Sequence, residues 1–246
     1  MITGDGDALS IGGNHILHVL RRNMDLQIVL HNNEIYGLTK GQYSPTSEPG
    51  KITKSTPYGS IDYPFNPVSL ALGAEATFVA RTIDSDRKHL TAVLREAAHH
   101  RGAAFVEILQ NCDIFNDGAF DVLKKPETRD TAVVRLEQGQ PIRFGVDGQK
   151  GVRLSPAGGL EVIDVTDDNI GDVLIHDAAH AEPALAFMLS RLGNVDDGVT
   201  PIGVFRAVSQ PTYDDQVNAQ IDTAQTQAGP GDLAALLASG DTWTIG

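Results

Sequence analysis

Two short motifs near the N-terminus carry side chains suited to holding a phosphorylated ligand. Gly4-Asp5-Gly6-Asp7 sets two carboxylates among glycines, and Asn32-Asn33 adds two amides, with Asn33 lying 28 positions after Asp5. A diphosphate needs backbone N–H donors, best supplied at a helix N-terminus, and a cation to balance its charge. Mg2+ takes oxygen ligands in near-octahedral geometry, usually one or two protein groups together with the phosphates. Gly4-Asp5-Gly6 meets the first need, because glycines let the backbone come close. Asn33 meets the second. Each motif alone is an ordinary turn; at this separation the two make a coherent clamp.

The elements around them explain the spacing. Met1-Ile2-Thr3 reads as the end of a buried strand, and Ala8 to Arg22 as one helix with Leu9, Ile16, Leu17, Val19 and Leu20 apolar. Leu26 to Leu30 is a strand ending at His31-Asn32-Asn33. One helix and one strand separate the motifs, so both fall on neighbouring loops at the carboxyl edge of a parallel sheet, where open α/β sheets bind ligands. Residues 34–66, rich in Gly, Pro, Ser, Thr and Lys, form a long loop of the kind usually kept for function. Asn66-Pro67 opens a helix through Leu72, and Ala76 to Ile83 is a strand. Asp84-Ser85-Asp86 caps a helix to about Arg101, ended by Gly102, and Ala103 to Leu109 is a buried strand.

This pattern predicts an α/β fold over residues 1–125, a parallel sheet with helices on both faces. Beyond Cys112, Val133 to Leu136, Pro141 to Phe144, Val152 to Leu154 and Leu160 to Val165 read as short strands between glycine turns. Helices are expected near Pro183 and Asp214. Residues 126–224 are therefore read as a small mixed α+β extension, and 225–246 as a flexible tail.

Composition narrows the partners. The 246 residues are 41% hydrophobic, enough for a sizeable core, and the net charge of −13 argues against nucleic acid, which is bound chiefly through Lys and Arg. No apolar run approaches the ~18 to 20 residues that span a bilayer, and no secretion signal is visible. A cytoplasmic protein without membrane or nucleic-acid partners is the expectation. Cys112 is the one cysteine, so an internal disulfide is impossible.

Gly-Asp-Gly followed some thirty residues later by Asn-Asn resembles the thiamine diphosphate signature. The stretch from Asn32 to Gln42, with Ser44-Pro45-Thr46 and Gly73-Ala74-Glu75-Ala76-Thr77-Phe78-Val79-Ala80-Arg81, is similar to the β subunit of 2-oxoacid:ferredoxin oxidoreductases. The resemblance is strong to about residue 125 and looser beyond. It implies a thiamine diphosphate-binding fold whose N-terminal part is missing here. It also implies that Asp5 and Asn33 bind Mg2+ by side chain and Ile35 by its carbonyl, with Gly4, Gly6, Asp7, Gly37 and Leu38 also at the cofactor. Lys40 would lie near the substrate carboxylate and the thiazolium.

Cys112 sits in the polar turn Gln110-Asn111-Cys112-Asp113. In the resembled family a four-iron, four-sulfur cluster takes three N-terminal cysteines and one at this position, and such a cluster needs four thiolates. The implied activity is oxidative decarboxylation of a 2-oxoacid, 2-oxoglutarate above others, to acyl-coenzyme A. Electrons pass singly through the cluster to ferredoxin, and an α subunit completes the active site. The family's cysteine-rich N-terminal third has no counterpart here, so in-frame coding sequence upstream of Met1 is expected to hold a Cys-x-x-Cys; an immediate upstream stop codon would refute this. Two alternatives share the clamp: a non-redox thiamine diphosphate decarboxylase or synthase, and a non-catalytic fragment that only binds its partner subunit.

Other polar clusters have plainer readings. His176 and His180 have the helical spacing of a zinc pair, but the segment reads better as the approach to the helix at Pro183. His99-His100 suits a helix C-terminus, and Asp167-Asp168 and Asp196-Asp197-Gly198 suit solvated turns.

Overall fold

The computed structural model describes residues 1–193, 198–241 and 243–245. In chain order β1 (Ile2–Gly4) leads into α1 (Asp5–Leu9), α2 (Gly13–Arg21) and β2 (Gln27–Asn32). After the long loop come α3 (Pro67–Gly73), β3 (Phe78–Ile83), α4 (Arg87–His99) and β4 (Ala104–Leu109). Next are α5 (Asp121–Lys124), α6 (Pro126–Ala132), β5 (Val133–Leu136), β6 (Arg143–Phe144), β7 (Lys150–Leu154) and β8 (Leu160–Asp164). The chain continues with α7 (Ala184–Ser190), β9 (Thr200–Ala207), α8 (Tyr213–Ala228) and α9 (Leu233–Leu237).

One sheet organises the molecule. Its order is β1-β2-β4-β3-β9-β5, with β1, β2, β4 and β3 mutually parallel and β9 antiparallel to β3. Strands β6, β7 and β8 form a separate antiparallel meander. Alternate side chains of the central strands serve opposite faces, as the pleat requires. Ile28, Leu30, Val79 and Phe105 pack with Ile16, Leu20, Val68 and Leu72 of α2 and α3. Phe78, Ala80, Val106 and Ile108 pack on the other face with Val93 and Ala97 of α4. The sheet is mostly parallel and covered on both faces, as expected.

The caps read from sequence are present. The Asn66 side chain accepts from Ser69 N at 3.0 Å and that of Asp86 from His89 N at 3.2 Å, and the long loop from Asn33 to Asn66 holds no regular helix or strand.

Three expectations are corrected. Residues 8–22 are two helices rather than one: Gly12 N returns to Asp7 O at 2.8 Å, and a Cβ on Gly12 would lie 2.5 Å from that oxygen. The chain turns sharply there because glycine permits it. No element was expected over 200–207, yet β9 pairs there with β3 on one side and β5 on the other. Pro201 and Gly203 weaken the local strand pattern, and pairing along both edges compensates. Gly203, at φ +122, presses so closely on the Leu136 carbonyl that a Cβ would come within 2.6 Å. Finally, residues 225–228 continue α8, whose N-cap Thr212 accepts from Asp215 N at 3.2 Å, so the helix crosses the point where a tail was expected to begin. Strands β5 and β9 carry the main sheet past residue 125. Asp196 and Asp197 lie outside the described residues.

Candidate functional site

Parallel register places the polar strand ends side by side. Gly4 pairs with His31, and Asn32 with Leu109, so the loops after β1, β2 and β4 share one edge. Asp5 begins α1 and is buried. Thr46, folded back from the long loop, donates to Asp5 Oδ2 at 2.7 Å, and Ser44 and the Asn33 backbone N–H also reach this carboxylate. Burial raises the Asp5 pKa from its ordinary value, outweighing those hydrogen bonds, which favour the charged form. Asp5 and Asn33 are thus neighbours.

The turn after β2 is held from within. Asn33 Oδ1 accepts from Ile35 N and Asn32 Oδ1 from Glu34 N, both at 3.3 Å, with Glu34 at φ +57. These side-chain-to-backbone bonds shape the segment that presents Asn33 and Ile35. Burial and the carboxylates of Glu107, Glu48 and Asp5 push Glu34 up to about 7, against Lys51. Glu34 borders a cavity of about 590 Å³ that Arg81 and Glu107 also line.

Gly6 has a steric role: a Cβ there would lie 2.2 Å from the Tyr36 ring, and Tyr36 Oη donates to Gly6 O at 3.0 Å. Gly4 and Gly37 open onto free space, so a ligand can approach their backbone. Asp7 and Leu38 are exposed. Lys40 is exposed at φ +81, a conformation seldom taken by a residue with a Cβ. Gly41, at φ +91, leaves no room for a Cβ beside Phe115.

Cys112 is half-buried in a turn closed by Asn116 N donating to Cys112 O at 3.0 Å. Asn116 also donates from Nδ2 to Asn33 O at 2.9 Å and accepts from Lys51 Nζ. It ties the cysteine turn to the Asn33 turn. His176 is buried with Nε2 on the Val204 carbonyl at 2.7 Å, whereas His180 is exposed and accepts from Glu182 N.

Sequence reading missed the polar core under the site. Arg81 Nε donates to Glu107 Oε2 at 2.6 Å, and Asn32 Nδ2 donates to Glu107 Oε1 at 2.8 Å. A signal was available: Arg81 and Glu107 are the lone charged residues of β3 and β4, and they are register partners.

The oxygen donors of Asp5, Asn33 and Ile35 fit a hard cation such as Mg2+. Among the described residues no group of three or more His, Cys, Asp or Glu side chains could hold a metal, so any cation here draws on amide and carbonyl oxygens. One thiol does not hold an iron–sulfur cluster unaided.

Residues 1–108 match the C-terminal TPP binding domain of thiamine pyrophosphate enzymes, which sets the class of protein. The chain is 57% identical over its whole length to the 2-oxoglutarate oxidoreductase subunit KorB of Mycobacterium tuberculosis, spanning 66% of that protein. Over 55% of its length it is 43% identical to the 2-oxoacid:ferredoxin oxidoreductase subunit beta of Saccharolobus solfataricus, spanning 43% of it. A solved 2-oxoglutarate:ferredoxin oxidoreductase from Magnetococcus marinus, with 2-oxoglutarate, coenzyme A and succinyl-CoA bound, superposes with a TM-score of 0.68 at 29% identity. That match covers 97% of this chain and 66% of that one. The chain belongs to the family of 2-oxoacid:ferredoxin oxidoreductase β subunits. No helix among the described residues is long and apolar enough to cross a membrane.

Proposed function

We propose that this chain binds thiamine diphosphate and Mg2+ in a 2-oxoglutarate:ferredoxin oxidoreductase, working with an α subunit, coenzyme A and ferredoxin. The observation that carries this reading is the adjacency of Asp5 and Asn33 at the carboxyl ends of neighbouring parallel strands. Asp5 and Asn33 hold Mg2+ by side chain and Ile35 by its carbonyl. Gly4, Gly6, Asp7, Gly37 and Leu38 line the diphosphate, with Gly4 and Gly37 open to close approach. When bound, thiamine diphosphate supplies the carbanion chemistry of 2-oxoacid decarboxylation, while the protein supplies position and electrostatics.

Lys40 attracts the substrate carboxylate. Its strained backbone supports a functional role, since such strain persists only where surrounding structure imposes it. Cys112 furnishes one thiolate of a four-iron, four-sulfur cluster whose other ligands lie outside this chain. The Asn116 bridge then couples the cluster turn to the cofactor turn. The assay is ferredoxin reduction by the assembled complex with coenzyme A, comparing 2-oxoglutarate with pyruvate, alongside iron content. Faster reduction with 2-oxoglutarate supports the reading, and decarboxylation without ferredoxin reduction or iron would replace it with a non-redox thiamine diphosphate enzyme.

A further inference from the structure

Beneath the clamp runs an unbroken series of polar contacts. Arg81 Nε donates to Glu107 Oε2 and Asn32 Nδ2 to Glu107 Oε1. Asn32 Oδ1 accepts from Glu34 N at 3.3 Å and from Thr46 Oγ1 at 2.9 Å, and Thr46 Oγ1 lies 2.7 Å from Asp5 Oδ2. Asn32, Thr46, Arg81 and Glu107 are all buried.

The chemistry of these groups permits one arrangement. A guanidinium only donates and a carboxylate only accepts. Asn32 must therefore turn its NH2 toward Glu107, which leaves its carbonyl oxygen for Glu34 N–H and Thr46. That carbonyl anchors the first N–H of the turn carrying Asn33 and Ile35. It also shares the single Thr46 hydroxyl proton with Asp5.

We propose that Glu107 is a positioning residue for the Mg2+ site: it fixes the polarity of the Asn32 amide and so sets the Asn33–Ile35 turn and the Thr46 bond to Asp5. This rests on the thiamine diphosphate reading above. Outer groups that orient metal ligands change metal affinity about 10- to 100-fold when altered.

The substitution Glu107→Gln keeps shape and reverses polarity. The new amide offers its oxygen to Arg81, so its NH2 faces Asn32. The Asn32 amide then turns over and points its own NH2 at the Glu34 N–H. Two donors meet where a bond stood. Adding Asn32→Asp restores every donor and acceptor and conserves net charge, because the carboxylate simply moves from position 107 to position 32.

The test is calorimetric titration of Mg2+, with thiamine diphosphate present, into the assembled complex. Glu107→Gln is expected to weaken Mg2+ binding about 10- to 100-fold. Asn32→Asp alone sets two carboxylates face to face and is expected to weaken it as well. The double variant is expected to bind within about threefold of wild type, a reciprocal rescue that a merely space-filling role does not produce. Should Glu107→Gln not assemble, the double variant decides alone: binding near wild type supports the inference, and absent binding overturns it. Wild type that takes up no thiamine diphosphate overturns the functional reading and this inference with it. Wild type that binds beside an equally tight Glu107→Gln variant overturns this inference alone.

Discussion

Asn116 donates from its side-chain amide to the backbone carbonyl of Asn33 across 83 positions of sequence, at 2.9 Å. The turn bearing Cys112 and the turn bearing the candidate Mg2+ ligand are thereby one unit, since Asn116 N also closes onto Cys112 O. Asn116→Asp keeps an acceptor for Lys51 but loses the donor to Asn33. It is expected to weaken thiamine diphosphate–Mg2+ binding and to lower stability by about 1 to 3 kcal/mol, the usual cost of leaving a buried group unpaired. Calorimetry and urea unfolding read the two effects, and unchanged cofactor binding would show that the bridge is only structural.

Gly6 faces the Tyr36 ring with no space for a methyl group. Gly6→Ala is expected to cost about 1 to 3 kcal/mol of stability through overpacking. Combining it with Tyr36→Ala removes the clash and should recover part of that loss. Denaturant midpoints of the two single variants and the double variant decide the matter; additive losses would argue against the clash.

Lys40 separates stability from function. Glycine takes φ +81 without strain, so Lys40→Gly should leave thermal stability unchanged or raised. On the proposed role of Lys40 in attracting the substrate carboxylate, turnover by the assembled complex should fall. Melting temperature and 2-oxoacid-dependent ferredoxin reduction are measured on the same preparation, and full activity would remove Lys40 from the site.

Three histidines give stability a pH dependence. Burial lowers His176, against Val204 O and Asp177; burial and Arg135 lower His89; burial lowers His100, against Asp25. With the folded pKa below the ordinary 6.5, their contribution is complete above that value. It is lost as pH falls through 6.5, because the unfolded chain takes up protons that the native state refuses. His176→Gln, which retains a donor for Val204 O, should narrow the stability gap to wild type between about pH 8 and pH 5.5. Urea unfolding across that range checks the sign: a gap that widens on acidification would contradict it.

The sequence by itself determined much of the local order. Asn66 and Asp86 cap α3 and α4 as their residue types demand, and the strands at 26–30, 76–83 and 103–109 lie within a few residues of their predicted limits. The closeness of Gly4-Asp5-Gly6 to Asn32-Asn33 was legible because a βαβ unit converts their separation into adjacency. Local information sufficed there. Tertiary structure decided how these strand ends are held: Thr46 reaches Asp5 across 41 positions, Asn32 reaches Glu107 across 75, and Arg81 reaches Glu107 across 26. It also decided β9, whose Pro201 and Gly203 obscure a strand that exists because β3 and β5 pair with it on either side. A hydrogen bond between residues far apart leaves no period in the sequence. The register of the parallel strands brings Arg81 and Asn32 to Glu107, and the fold of the long loop brings Thr46 to Asp5; the register is fixed by packing on both faces of the sheet.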